Sequence, residues 1–308
     1  MTVMGVMKDV TRLACVLRVG AASLRSMRKA FIIKLRDGQS ISLGERTNIV
    51  GVLNVTPDSF SDGGLTFEPE RAVARALEMQ SEGADIIEIG GESTRPGSVR
   101  LSSHDELSRV LPVLRALAGR LDVPIAIDTY KSEVASAAIA EGASIINDVS
   151  ALRFDPAIAD VARQERAVLV LMHMRGDPES MQKLAPSPDI FAEIESDLGI
   201  AIRFAEMRGV ARDQLVVDPG IGFGKTLDQN LAILNNLDRF ESFDLPLMIG
   251  PSRKSFIGRL TGKTEGERKM GTAASVAAAI IRGAHIVRVH DVKEIVDVVR
   301  VTDALLIR

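Results

Sequence analysis

NIVGVLN (48–54), DIIEIG (85–90), PIAID (124–128), SIIND (144–148), AVLVLMH (167–173), QLVVD (214–218), PLMIG (246–250) and HIVRV (285–289) are eight short apolar runs, and their rhythm decides the fold. Each is followed by a stretch whose apolar residues recur at helical spacing, as in PERAVARALEMQSEG (69–83) and SEVASAAIAEG (132–142). Eight such β-then-α units predict an α/β chain folded as a (β/α)8 TIM barrel, with a doubly wound open sheet as the alternative. EGAD (82–85), EGAS (141–144) and RGAH (282–285) repeat a glycine where a helix should end and an alanine before the next strand. FIIKL (31–35) and SISL (40–43) flank Asp37-Gly38, so a short N-terminal β-hairpin should precede the barrel. The longest irregular stretch, 175–188, follows the fifth run and could cover the barrel mouth.

Composition narrows the class. The 308 residues carry 38 basic and 41 acidic side chains, and 46% are hydrophobic, which excludes intrinsic disorder. One Tyr, no Trp and a net charge of −3 give no basic, aromatic surface for nucleic acid. Cys15 is the only cysteine and there are four His, so neither an intrachain disulfide nor a closed zinc site is expected, and a reducing cytoplasm fits. No uncharged apolar run is long enough to span a membrane.

The first thirty residues hold six basic side chains against one acid, Asp9. Residues 1–26 are read as a flexible basic N-terminal extension and 27–308 as a single barrel domain, because Met27 stands directly before the first strand-like run. An acid-poor segment bearing Arg and Ser could also mimic an organelle transit peptide.

Reactive groups of such barrels gather where strands end. Here the ends are polar: Asn54, GGESTRPG (90–97), Asp128, Asn147-Asp148, His173, Asp218, Ser252-Arg253-Lys254, and Arg288 with His290. Asp128, Asn147, Asp218 and Lys254 form one constellation suited to a flat heterocycle with an aminopyrimidinone edge. A carboxylate can accept from its exocyclic amine and ring N–H, an amide can donate and accept beside it, and an ammonium can meet the oxo group. Read singly, Asp128 and Asp148 are equally helix caps, and Asp218 a turn residue before Pro219. A second constellation seeks anions. Arg95, Arg288 and His290, with Asn54 opening NVTPDSFSDGG (54–64), fit phosphate oxygens and Mg²⁺, which takes few protein oxygens beside a diphosphate.

DPGIGFGK (218–225) lacks both common nucleotide-loop patterns. Gly220, Gly222 and Gly224 are read instead as shaping a tight turn that presents Phe223 as a wall for an aromatic substrate. No G-x-S-x-G is present, and neither His173 nor His290 has an evident nucleophilic serine partner.

Together NIVGVLNVTPDSFSDGG, GADIIEIGGESTRPG, PIAIDTYK, GASIINDVSAL, LMHMRG, VVDPGIGFGK, GPSRKSFIG and RVHDVKE closely resemble the dihydropteroate synthases, in order and spacing, from about Phe31 to the C-terminus. The resemblance implies a folate-pathway transferase and sulfonamide target that joins 6-hydroxymethyl-7,8-dihydropterin pyrophosphate to p-aminobenzoate, releasing pyrophosphate. It places the pterin among Asp128, Asn147, Met172, Asp218, Lys254 and Arg288. Pyrophosphate falls to Asn54 with Mg²⁺ as cofactor, Arg95, Arg288 and His290. For p-aminobenzoate it implies Phe60, Thr94, Pro96, Phe223, Lys254 and Ser255. Asp128, Lys254, Arg288, His290 and Arg95 would be the catalytic groups, and the family implies a homodimer. An S_N1-like path is what the family implies, whereas the sequence equally permits direct displacement. The competing readings are a methyltetrahydrofolate:corrinoid methyltransferase, which has no diphosphate to bind, and a non-catalytic paralogue.

Overall fold

The computed structural model describes residues 28–56, 69–93 and 97–306. Strands β1 (Phe31–Lys34) and β2 (Ser40–Leu43) form an antiparallel hairpin turning through Asp37-Gly38, with Gly38 at φ 89°. The parallel strands are β3 (Asn48–Asn54), β4 (Ile86–Gly90), β5 (Ile125–Asp128), β6 (Ile145–Asp148), β7 (Val168–Met172), β8 (Leu215–Asp218), β9 (Met248–Ile249) and β10 (Ile286–Val289). They pair in the order β8-β7-β6-β5-β4-β3-β10-β9. A parallel bridge between Val217 and Leu247, with Val217 N donating to Pro246 O at 3.0 Å, joins the two ends. The eight-run reading is therefore a TIM barrel and the open sheet is excluded, because a sheet left open has no such bridge.

Helices follow the strands: α1 (Pro69–Glu82), α2 (Ser103–Leu117), α3 (Ser132–Ala140), α4 (Ile158–Glu165), α5 (Ile190–Met207), α6 (Leu227–Asn235), α7 (Ser255–Thr261), α8 (Lys269–Ile281) and α9 (Val292–Leu306). Their spacing explains their burial. In α1, Ala72, Val73, Ala76 and Met79 form one apolar stripe, and Pro69 at the first turn needs no amide partner. The repeated glycines Gly83, Gly142 and Gly283 lie at φ 109°, 105° and 100°, where a side chain would be strained.

Side chains of alternate strand positions separate two cores. Ile87, Ile127, Ile146 and Leu169 point outward under the helices. Val50, Ile86, Ala126, Val168 and Val216 fill the barrel, and Ile33, Leu35 and Leu43 of the hairpin close its lower end. Only a void of about 20 Å³ remains there, so the barrel is a packed core and the site must lie at its upper rim.

Seven of the eight runs are shorter than the sequence suggests; five lose only their first residue and two are trimmed at both ends. PLMIG yields only Met248–Ile249 because Pro246 has no N–H to give the ladder. AVLVLMH ends at Met172, beyond which His173 N bonds Asp218 O at 2.9 Å. The 175–188 stretch holds one short turn of helix, Met181–Lys183, and lies against the rim: Met181 lines the cleft, and Gly97 N bonds Pro178 O at 2.9 Å.

Candidate active site

A cleft of about 1010 Å³ opens at the carboxyl ends of the strands, bordered by Asn54, Asp128, Phe223, Lys254, Arg288 and His290. Register explains the convergence. Asn54 pairs with Gly90, Gly90 with Asp128, and Asp128 with Asn147, so one row crosses four strands. Gly90 keeps the row open: a Cβ there would lie 3.7 Å from Asp128 Oδ2 and 3.8 Å from Asn54 Oδ1.

Arg288, paired in register with Val50 below this row, reaches up to it through a side chain held by two carboxylates. Its Nε donates to Glu88 Oε1 at 2.5 Å and its Nη2 to Asp128 Oδ2 at 2.7 Å. Glu88 Oε2 accepts from Asn147 Nδ2 at 2.9 Å. Glu88 is 1% exposed and was missing from the sequence-derived site, although a carboxylate inside the apolar run DIIEIG was its signal. Burial works against the Arg288 charge, but Glu88 and Asp128 hold its pKa above the ordinary arginine value. Burial likewise pushes Asp128 up to about 7, with Arg288 opposing.

Asp128 Oδ1 and Asn147 Oδ1 are buried and bond to no group among the described residues. Asp128 is therefore not a helix cap. Nor is Asp148, because the helix that follows it begins at Ile158 with Ala157 as its N-cap; its carboxylate instead shapes the turn after β6, accepting from Ser150 N and Oγ and from Leu152 N at 2.6–2.8 Å. Asp218, paired in register with Met172, both shapes its turn, accepting from Gly220 N at 2.7 Å, and faces the charges of Lys254 and Arg288. Burial raises its pKa to about 6.

Gly220, Gly222 and Gly224 adopt φ of 69°, 88° and 68°, and the turn they form presents Phe223 to the cleft. Lys254 Nζ lies 3.9 Å from the centre of the Phe223 ring, and Ser255 opens α7 beside it. Burial and the neighbouring Arg288 lower the Lys254 pKa to about 8. His290 contacts Ser252 Oγ twice, through its backbone N at 3.2 Å and Nδ1 at 3.0 Å. Burial, then Arg288, drives its pKa down to about 3, so it works as a neutral imidazole.

Phe60, Thr94, Arg95 and Pro96 lie outside the described residues, as does 1–27. The flanks of 94–96 are anchored: Glu92 accepts from Tyr130 Oη at 2.5 Å, from Lys131 and from Leu101 N at 3.3 Å. Among the described residues one triplet has metal-ligand spacing, His173, Glu193 and Asp197, away from Asn54. Arg175 occupies Glu193 at 2.7 Å, and the charge of Lys225 bears on His173, so electrostatics oppose a cation there.

A barrel whose rim combines unpaired buried acceptors with cations facing the same cleft defines a pterin-binding enzyme, and a family model described as pterin binding enzyme matches residues 50–290. The dihydropteroate synthase of Synechocystis sp. is 45% identical over 85% of this chain and 91% of its own. The Yersinia pestis dihydropteroate synthase, solved as a sulfonamide drug complex, superposes with a TM-score of 0.83 at 40% identity over 89% of this chain and 98% of its own. That of Xanthomonas albilineans, solved with 4-aminobenzoic acid, gives 0.83 and 40% over 90% and 98%. The chain belongs to the dihydropteroate synthase family and is a transferase of folate biosynthesis.

Proposed function

We propose that the described rim condenses 6-hydroxymethyl-7,8-dihydropterin pyrophosphate with p-aminobenzoate by dividing three tasks among its strand ends. The observation that carries this is the pair of orphaned acceptors, Asp128 Oδ1 and Asn147 Oδ1. A buried acceptor without a donor costs about 1–3 kcal/mol, and a pterin edge rich in N–H groups relieves that cost. Asp218 takes the 2-amino and N3 donors, Lys254 meets the oxo oxygen, and Met172 lies beneath the ring.

As the carbon–oxygen bond to pyrophosphate breaks, the pterin methylene becomes cationic and the leaving group gains charge. Asp128 favours the cation, while Arg288, with Arg95, favours the anion. Ser252 Oγ accepts the His290 backbone N–H and donates its proton to Nδ1, so Nε2–H is the ring donor left for a pyrophosphate oxygen. The amine nitrogen of p-aminobenzoate then bonds to the methylene carbon and releases one proton. Phe223 and Lys254 border that substrate, with Ser255 beside them, and the family resemblance assigns Phe60, Thr94 and Pro96 to the same substrate.

Asn54 offers one neutral oxygen at the cleft, and Asp128 beside it is engaged by Arg288, a donor set that fits Mg²⁺ held mainly by a diphosphate. Bound there, Mg²⁺ would neutralise the leaving group. Exposed Leu260, Met270 at 76%, Ile281, Val301 and Leu305 on α7, α8 and α9 support a homodimer. No helix among the described residues is long and apolar enough to cross a membrane. A cytoplasmic site is proposed on the single cysteine.

The test is formation of 7,8-dihydropteroate from the two substrates with and without Mg²⁺. Product that requires Mg²⁺ is expected. Tight pterin binding without product would reopen the methyltransferase and non-catalytic readings, which differ in whether methyl transfer from methyltetrahydrofolate occurs.

A further inference from the structure

Lys225 is a buried charge that the reaction as described does not use. It is 7% exposed and ends the turn after β8. Its ammonium donates to three main-chain carbonyls, Gly220 O at 2.8 Å, Phe223 O at 3.2 Å and His173 O at 3.2 Å. Two of these belong to its own turn and the third to the segment after β7, so one side chain ties two βα loops together.

The backbone explains why a cation stands there. Three positive-φ glycines shape a turn whose Gly220 and Phe223 carbonyls face the buried Lys225, and a lysine supplies three donors from one point. The loops touch closely: a Cβ on Gly220 would lie 1.9 Å from His173 O, and one on Gly224 2.8 Å from Arg175 O. No side-chain carboxylate pairs directly with Lys225 among its hydrogen bonds, so the carbonyls are its counter-dipoles. On the cleft side of the same turn stands Phe223, with the Lys254 ammonium 3.9 Å from its ring centre.

We propose that Lys225 is a positioning residue for the aromatic amine: by clamping the turn's carbonyls to the β7 segment it fixes Phe223, and through it Lys254, as the wall against which that substrate is held. This rests on reading Phe223 as the p-aminobenzoate wall. Of the pterin contacts, Asp128 and Asn147 are built on strands Lys225 does not tie, whereas Asp218 stands at the start of the tied turn and accepts from Gly220 N at 2.7 Å, so pterin binding should feel the clamp, but less than the amine does.

The experiment compares Lys225→Gln, Lys225→Met and Phe223→Ala, each checked for folding by circular dichroism, in steady-state and dihydropterin-binding assays. For folded Lys225 variants, KM for p-aminobenzoate should rise at least tenfold, kcat should fall far less, and dihydropterin affinity should fall by a clearly smaller factor than KM rises. In the Phe223→Ala background, adding Lys225→Gln should raise KM less than twofold further. An unchanged KM in a folded Lys225 variant, an equal loss of pterin affinity, or full additivity with Phe223→Ala would overturn the proposal. So would failure of both Lys225 variants to fold, which would assign the residue to stability alone. If Phe223→Ala itself leaves KM unchanged, the wall assignment fails first, and the clamp loses its target with it.

Discussion

Arg288 on β10 reaches Asp128 on β5 with Nη2 and Oδ2 2.7 Å apart, while its Nε is held by Glu88 on β4. One guanidinium therefore compensates two buried carboxylates at the floor of the cleft and still faces the space assigned to pyrophosphate. Removing it disturbs charge balance and leaving-group stabilisation together.

Arg288→Ala should lower kcat by at least a hundredfold, about 2.7 kcal/mol, and lower dihydropterin affinity by much less. Glu88→Gln keeps the bond to Asn147 but weakens the hold on Arg288, so its kcat should fall about tenfold. Single-turnover rates beside fluorescence-detected dihydropterin binding check both. Normal turnover by Arg288→Ala would remove this arginine from the chemistry.

Asp218→Asn should weaken dihydropterin binding ten- to hundredfold, because a lost charge-assisted bond costs about 1.5–3 kcal/mol. The pH dependence follows from burial, which raises the Asp218 pKa to about 6. Protonated Asp218 cannot accept both pterin donors, so affinity should be highest above pH 6 and fall about tenfold per unit below it. The Asn variant should lack that slope. Titrations from pH 5 to 8 with both proteins decide it.

At the opposite end of the barrel His285 is a staple. Its Nδ1 accepts from Leu247 N at 3.1 Å, which leaves Nε2–H to donate to Lys29 O at 3.0 Å. Burial lowers its pKa to about 4, so the neutral ring contributes stability above about pH 6.5, and that contribution is lost as pH falls toward 4. His285→Gln should cost about 1–3 kcal/mol at pH 7, and the gap to the parent should narrow at pH 4.5 in urea titrations.

Arg28 bonds Asp303 Oδ1 at 2.6 Å, Thr47 Oγ1 at 2.5 Å and Ala284 O at 2.7 Å, although it belongs to the basic opening stretch. A protein beginning at Met27 should keep its melting temperature within a degree or two and kcat/KM within about twofold, or ~0.4 kcal/mol. Arg28→Ala leaves Asp303 buried without its cation and should cost about 3–5 kcal/mol. Calorimetry separates the two: equal losses would tie the preceding residues to the barrel.

Periodicity in the sequence determined the eight strand-then-helix units, since continuous apolar runs followed by stretches of period 3.6 bury both strand faces when strands alternate with helices, but barrel against open sheet was decided only by the Val217–Leu247 closure. Local chemistry likewise determined the glycine turn at 220–224, the hairpin at Asp37-Gly38 and the polar strand ends, because φ preferences and turn residues act over a few positions. What required tertiary structure was every pairing across strands. Glu88 reads as one charge in an apolar run until register sets it between Asn147 and Arg288, and Lys225 reads as the end of a glycine turn until two loops fold their carbonyls around it. Asp128 and Asp148 are both strand-end aspartates in sequence. Only the folded barrel makes one a turn residue, satisfied by the groups just after it, and leaves the other with a buried oxygen that no described residue satisfies. Hydrogen bonds and buried charges take their meaning from partners distant in the chain, and those partners are chosen by register and closure of the barrel.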